Sequence, residues 1–329
     1  MAKRSKPNVC SIAAHRGFAD ALVAGLVPRY SDEEFGLARL TLLLPSRRAV
    51  RNIAEAFIRM MGGSDAAAGL LMPRMAVVGD LDLDEALGPL FDPLGSAAIP
   101  IAIDPMRRWF ELVHLVPQAL KALGRQEPPA PVLIRLAQEI GATMDRLIIE
   151  DVAPEQLWDP ATLLAMEELS EHWKEGTKLF YTVQALWRQR LEELGAVDAA
   201  TRRNLLFKEA ARKWKAKPPA TPLVAAGVTS SAPELARLLR VVSELPQGAV
   251  LLPDLDLTMA EEPWDELGNA GAPRDESEPF FGVDDAATHP QFHLKLLLNR
   301  MGVSRGEVQP WHRKGDAACL LYTSDAADD

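Results

Sequence analysis

Apolar and polar positions along the chain fall into three stretches that call for different elements. In the first, to about residue 101, strands and helices alternate. Residues 9–13 form a short apolar run, and residues 17–27 read as a helix. Leu40-Thr-Leu-Leu-Leu-Pro45 is a continuous apolar run ended by proline, the pattern of a strand buried on both faces. A helix follows at once, with Val50, Ile53, Ala54, Phe57 and Ile58 at i, i+3, i+4, i+7 and i+8. Met75-Ala-Val-Val78 gives another short strand.

The second stretch, residues 102–217, is almost without strand signals. Helical spacing runs through residues 106–123, 131–149, 163–194 and 201–215, with breaks at residues 126–131 and 152–160. The third stretch, residues 218–315, returns to strand–helix–strand order. Residues 223–226 form a strand, 227–231 a turn, 233–245 a helix and 249–252 a second strand. Such a unit suits a parallel sheet with both faces covered. The Gly/Pro-rich segment 261–287 reads as an acidic surface loop, and a last helix, residues 289–301, follows Thr288 as candidate N-cap. The expected fold class is α/β: a parallel sheet interrupted by an all-helical insertion.

Composition narrows the function classes. The 329 residues are 48% hydrophobic and 25% charged, which fits a globular chain of about two domains. No apolar run approaches the roughly 20 residues of a membrane span, and no secretory pattern follows the basic N-terminus, so a cytoplasmic protein without membrane association is expected. Two cysteines, Cys10 and Cys319, are too few for a disulfide framework or a Cys-rich metal site. The segment 316–329 has the look of translated sequencing-adapter DNA, so the natural protein is expected to continue past about residue 315. The net charge of −10 is local, because the span from Asp254 to Asp285 holds eleven acidic residues against Arg274 alone. The remaining charges cancel, so the low pI leaves room for a basic patch elsewhere.

One feature breaks a local rule. Ser46 is a good N-cap for the helix after the 40–45 strand, yet Arg47 and Arg48 occupy its first turn and Arg51 follows a turn later. Cations there oppose the helix macrodipole by about 0.3–1 kcal/mol each. An anion docking among the arginines and the free N–H groups would reverse that, and a DNA phosphate fits. Solvated arginines, or arginines paired with Asp80 or Asp82, explain the pattern equally.

Other candidates are thinner. No GxxxxGK[ST] phosphate loop occurs: after the first strand the chain reads Ala13-Ala-His-Arg-Gly-Phe-Ala-Asp20, with one glycine and no lysine. His289 and His293 have i, i+4 spacing but no third metal ligand nearby, which favours a structural use. Trp109, Trp158, Trp173, Trp187 and Trp214 fall mostly on helical apolar stripes, so core packing outweighs base stacking. The helix around Arg202, Arg203, Lys208, Arg212, Lys213, Lys215 and Lys217 is either a backbone-tracking basic face or an ordinary solvated one.

Several phrases, in order, resemble the AddB family of DNA double-strand-break repair subunits, in its alphaproteobacterial form. They are Leu42-Leu-Leu-Pro-Ser-Arg-Arg-Ala49, Leu71-Met-Pro-Arg-Met75 with Gly79-Asp-Leu-Asp82, Asp198 to Leu206 with Arg202-Arg-Asn204, and Val224-Ala-Ala-Gly-Val-Thr-Ser-Ser231. Further on come Leu245-Pro-Gln-Gly-Ala-Val-Leu-Leu-Pro253, Thr288-His-Pro-Gln-Phe292 and Arg300-Met-Gly-Val303. The resemblance implies an inactivated superfamily 1 helicase-like motor, a P-loop-like parallel sheet, with a helical insertion and an AddA-like helicase–nuclease partner. It implies that Ser46, Arg47 and Arg48 lie where active relatives touch the tracked DNA strand, and that Gly17 and Gly227 mark decayed nucleotide-site positions. DNA ends or single-stranded DNA would be bound, with no catalytic residue, metal or cofactor expected in this part. A small-molecule α/β enzyme and a divergent P-loop ATPase are the alternatives.

Overall fold

Six strands form one all-parallel sheet, with order β3-β2-β4-β5-β1-β6. The computed structural model describes residues 6–32, 34–61, 71–78, 99–153, 171–271 and 285–312. The strands are β1 (Val9–Ile12), β2 (Thr41–Leu44), β3 (Arg74–Val77), β4 (Leu223–Ala226), β5 (Gly248–Pro253) and β6 (Gln309–Pro310). Among the described residues the helices are α1 (Phe18–Tyr30), α2 (Arg47–Met61), α3 (Pro105–Ala122), α4 (Ala130–Ile149), α5 (Glu171–Leu194), α6 (Ala199–Ala216), α7 (Pro233–Glu244), α8 (Glu261–Asp265) and α9 (Pro290–Met301).

The chain divides into two compact units. One comprises Met1–Leu94, Phe207–Ser231 and Leu235–Asp329, and contains the sheet; the other comprises Gly95–Leu206 and Ala232–Glu234. In the sheet unit, short apolar runs become strands because both faces are covered. Cys10, Ile12, Leu42, Leu44, Val224, Ala226, Ala249 and Leu251 pack with Leu22, Val23 and Leu26 of α1 and with Ile53, Ala56 and Phe57 of α2. The alternate positions Val9, Leu43, Leu223, Ala225, Val250 and Leu252 are buried as well.

Connection direction explains this two-sided burial. The links β1→β2 and β2→β3 step toward one edge, whereas β4→β5 and β5→β6 step toward the other. With right-handed crossovers, α1 and α2 cover one face and α7 and α9 the opposite one. The carboxyl ends of β2 and β4, and those of β1 and β5, are therefore switch points, where neighbouring strands send their chains to opposite faces.

The helical unit has its own core. Leu112, Val116 and Leu120 of α3, Leu133, Ile140 and Met144 of α4, and Leu179, Val183 and Trp187 of α5 form one cluster. Asp104 caps α3 by accepting from Arg107 N–H at 2.9 Å.

Three expectations need correction. The stripe of α2 runs through Ile53, Ala56 and Phe57, while Ile58 is 61% exposed. At 100° per residue, position 58 has already rotated off the buried face. The acidic segment is not a plain surface loop where it is described: it contains α8 with Trp264 buried, and Ala270 is fully buried. Residues 272–284 and the adapter-like tail lie outside the described residues. The N-cap of α9 is His289, not Thr288, and its ring Nδ1 accepts from Gln291 N–H at 3.1 Å.

Candidate nucleic-acid interface

Strand β2 ends at Leu44, and Pro45-Ser46 leads directly into α2. Ser46 Oγ accepts from Ala49 N–H at 3.2 Å, while the Ser46 carbonyl accepts from Val50 N–H at 3.1 Å. The serine thus caps the helix as its type and position require. Burial of Ile53, Ala56 and Phe57 fixes the rotation of α2 and turns Arg47, Arg48 and Arg51 outward, all exposed. No acidic residue occupies the first turn. Arg47 also has a contact within the chain. Asp80 and Asp82, the carboxylates weighed as partners, lie outside the described residues.

Gly17 and Gly227 lie at the same edge of the sheet. Gly17 is the N-cap of α1, in extended backbone conformation, after a turn closed by Arg16 N–H on the Ala13 carbonyl at 3.0 Å. Gly227 follows β4 with φ +70°, where an L side chain is strained. A Cβ there would also stand 3.2 Å from Phe18 Cε1 and 3.9 Å from Pro45 Cδ. Three loops, those after β1, β2 and β4, thus converge, and the Phe18 ring and Pro45 occupy the space between them.

In open α/β sheets such a switch-point crevice is where ligands usually bind. Here an aromatic ring and a proline fill it at the β2–β4 end, with the arginines of α2 beside them. Phe18 was not singled out from the sequence. Its only local signal is an aromatic directly after a glycine, and its place beside Gly227 depends on residues more than two hundred positions apart.

The basic residues around α6 divide: Lys208, Arg212, Lys215 and Lys217 are exposed, while others are taken up within the chain. In α6, Arg203 is 6% exposed, and burial lowers its pKa. Arg202 donates to the carbonyls of Ile99 at 3.1 Å and Pro100 at 2.6 Å. Arg212 and Lys213 both pair with Glu209, at 2.6 and 3.6 Å. Arg202 and Asn204 therefore fasten the helical unit together, with Asn204 donating to the Ile148 carbonyl at 2.7 Å.

Of the tryptophans, Trp187, Trp214, Trp264 and Trp311 are buried. Trp187 donates through Nε1 to Asp198 at 3.1 Å. Trp158 and the side chain of Trp173 are outside the description. His293 is exposed, His289 is a cap, and among the described residues no group of three or more His, Cys, Asp or Glu could hold a metal. No helix among them is long and apolar enough to cross a membrane. No protein-family model matches the chain, and no curated protein matches it either.

Proposed function

We propose that this chain is a non-catalytic, DNA-contacting part of a double-strand-break repair helicase–nuclease, an AddB-like subunit working with an AddA-like partner. The observation that carries the reading is the set of three outward arginines, Arg47, Arg48 and Arg51, on the capped start of α2 at the carboxyl edge of a parallel sheet. Phosphate oxygens would offset the charge of these exposed side chains at the helix start.

Two further features support it. The sheet is interrupted in sequence between β3 and β4 by the helical residues, the arrangement that the helicase-like reading requires. The crevice between β2 and β4 holds the Phe18 ring, and the turn after β1 offers a single glycine and no lysine, which suits a motor domain without nucleotide hydrolysis. In this reading Gly17 and Gly227 are remnants of nucleotide-site positions, and binding to DNA ends or single strands is electrostatic and independent of ATP.

The test is fluorescence anisotropy of a labelled single-stranded oligonucleotide with the 329-residue chain and its Arg47→Glu/Arg48→Glu variant. Each phosphate contact contributes about 0.7 to the logarithmic salt slope for single strands. The double variant is expected to bind at least about tenfold more weakly at low salt and to lose about one unit or more of slope. Unchanged affinity and slope would sink the assigned contact.

A further inference from the structure

We infer, on the strength of the DNA reading above, that the outer face of α6 in the sheet unit is a second nucleic-acid contact: a stripe of cations that takes the phosphate backbone of duplex DNA beside the end. The sheet unit includes this helix from Phe207 onward. Residues 207–217 hold five cations, Lys208, Arg212, Lys213, Lys215 and Lys217, against one acid, Glu209. That local balance of +4 stands in a chain of net charge −10.

Packing decides which of these cations share a face. Phe207, Ala210 and Trp214 are buried, which fixes the rotation of the helix. At about 100° per residue, Lys208, Arg212 and Lys215 then fall within an arc of about 60° on the opposite side. All three are exposed. Glu209 lies about 100° round from Lys208. There it accepts from Arg212 Nη2 at 2.6 Å and pairs with Lys213 at 3.6 Å, while the Arg212 side chain stays 72% exposed. Lys208 also has a contact within the chain.

Helix electrostatics explain only part of the stripe. Cations in a last turn complement the macrodipole, and Lys213 and Lys215 sit there. The effect falls off within that turn, so it does not extend to Lys208, about two turns from the helix end.

The same face distinguishes duplex from single strand. Surfaces for single strands stack bases on exposed aromatic side chains, and both aromatic residues of this segment, Phe207 and Trp214, are buried. Charge alone is left, and a duplex carries one phosphate charge per roughly 1.7 Å of its axis. From Lys208 to Lys215 the stripe covers about 10 Å, a length over which a duplex presents about six phosphates. An acidic protein would match the sign of the charge, but protein interfaces centre on an apolar core, and the stripe offers none.

Fluorescence anisotropy of the 329-residue chain with a labelled blunt duplex and with the matching single strand separates the two surfaces. Lys208→Gln/Arg212→Gln/Lys215→Gln removes three charges and keeps good helix formers. It is expected to weaken duplex binding at least about tenfold at low salt, to lower the logarithmic salt slope by about 2–3, and to leave the single strand unchanged. Lys208→Gln alone should lower the duplex slope by about 0.9, the contribution of one phosphate contact. The Arg47→Glu/Arg48→Glu variant is read on the single strand, so failure of the α2 contact leaves the duplex result standing. Absence of duplex binding by the unsubstituted chain, an unchanged duplex slope in the triple variant, or an equal loss on the single strand would each overturn the assignment. So would tighter binding of a polyglutamate of matched length than of the duplex, which would make the face a protein contact.

Discussion

At the level of single residues, a close packing constraint lies where the last described strand meets α1. Trp311 N–H donates to the Ser11 carbonyl at 2.9 Å, its indole N–H donates to the Ala21 carbonyl at 3.2 Å, and the Arg29 guanidinium lies 4.1 Å over its ring. The indole rests against Gly25, where a Cβ would stand 2.7 Å from Trp311 Cζ2. Gly25→Ala is therefore expected to lose about 1–3 kcal/mol in urea unfolding, the range for overpacking a filled core. In a Trp311→Ala background the same change should be neutral or stabilising, because alanine is favoured over glycine in a helix by about 1 kcal/mol. Additive effects of the two substitutions would contradict the contact.

At the level of elements, the segment that follows β5 is held by a carboxylate as well as by the buried Leu255. Asp256 accepts from the N–H and hydroxyl of Thr258, both at 2.7 Å, and from Met259 N–H at 3.0 Å. Gln291 at the start of α9 accepts from Asp256 N–H at 3.0 Å. The Thr258 bonds come first among the causes that hold the Asp256 pKa below its ordinary 3.8. A lowered carboxylate pKa contributes stability above the unfolded value, and that contribution is lost as pH falls through the folded one. Asp256→Ala should thus cost about 0.5–1.5 kcal/mol at neutral pH, the scale of ordinary hydrogen bonds. The gap between the two proteins, followed by thermal melts, should close as pH drops below 3.8. A gap that stays constant with pH would mean that the charge plays no part.

At the level of the whole molecule, the direction of each crossover decides which loops can share a ligand. The connections put the loops after β1, β2 and β4 at one edge, and Phe18 with Pro45 fills the space where they meet. A ligand that binds only the folded state raises its stability by mass action, by about 2.7 kcal/mol at a hundred times its Kd. Millimolar Mg-ATP is accordingly expected to leave the thermal midpoint of the chain unchanged, whereas a single-stranded oligonucleotide at low salt should raise it. A nucleotide-dependent rise would restore the divergent ATPase as the better reading.

How far the sequence reached depends on the range of the interactions concerned. Strand β4 is legible residue for residue, because a run of four apolar residues between a proline and a glycine leaves little else. The Ser46 cap is legible too, since it depends on a hydroxyl three residues from the N–H it accepts. Misread were Ile58 on α2, whose neighbour Phe57 is buried, and Thr288, one residue before the cap that forms. Both errors are a single position in a helical phase or boundary, which local pattern does not resolve.

The sequence by itself determined the alternation of strand and helix, the helical interruption, the lack of a phosphate loop and the oddly placed arginines, because all of these are local in the chain. Only the tertiary structure decided the order of the strands, the ring of Phe18 beside Gly227 and the burial of Arg203. Each of these joins residues distant in sequence, and their meeting depends on which faces of the helices are buried and on the hand of the crossovers.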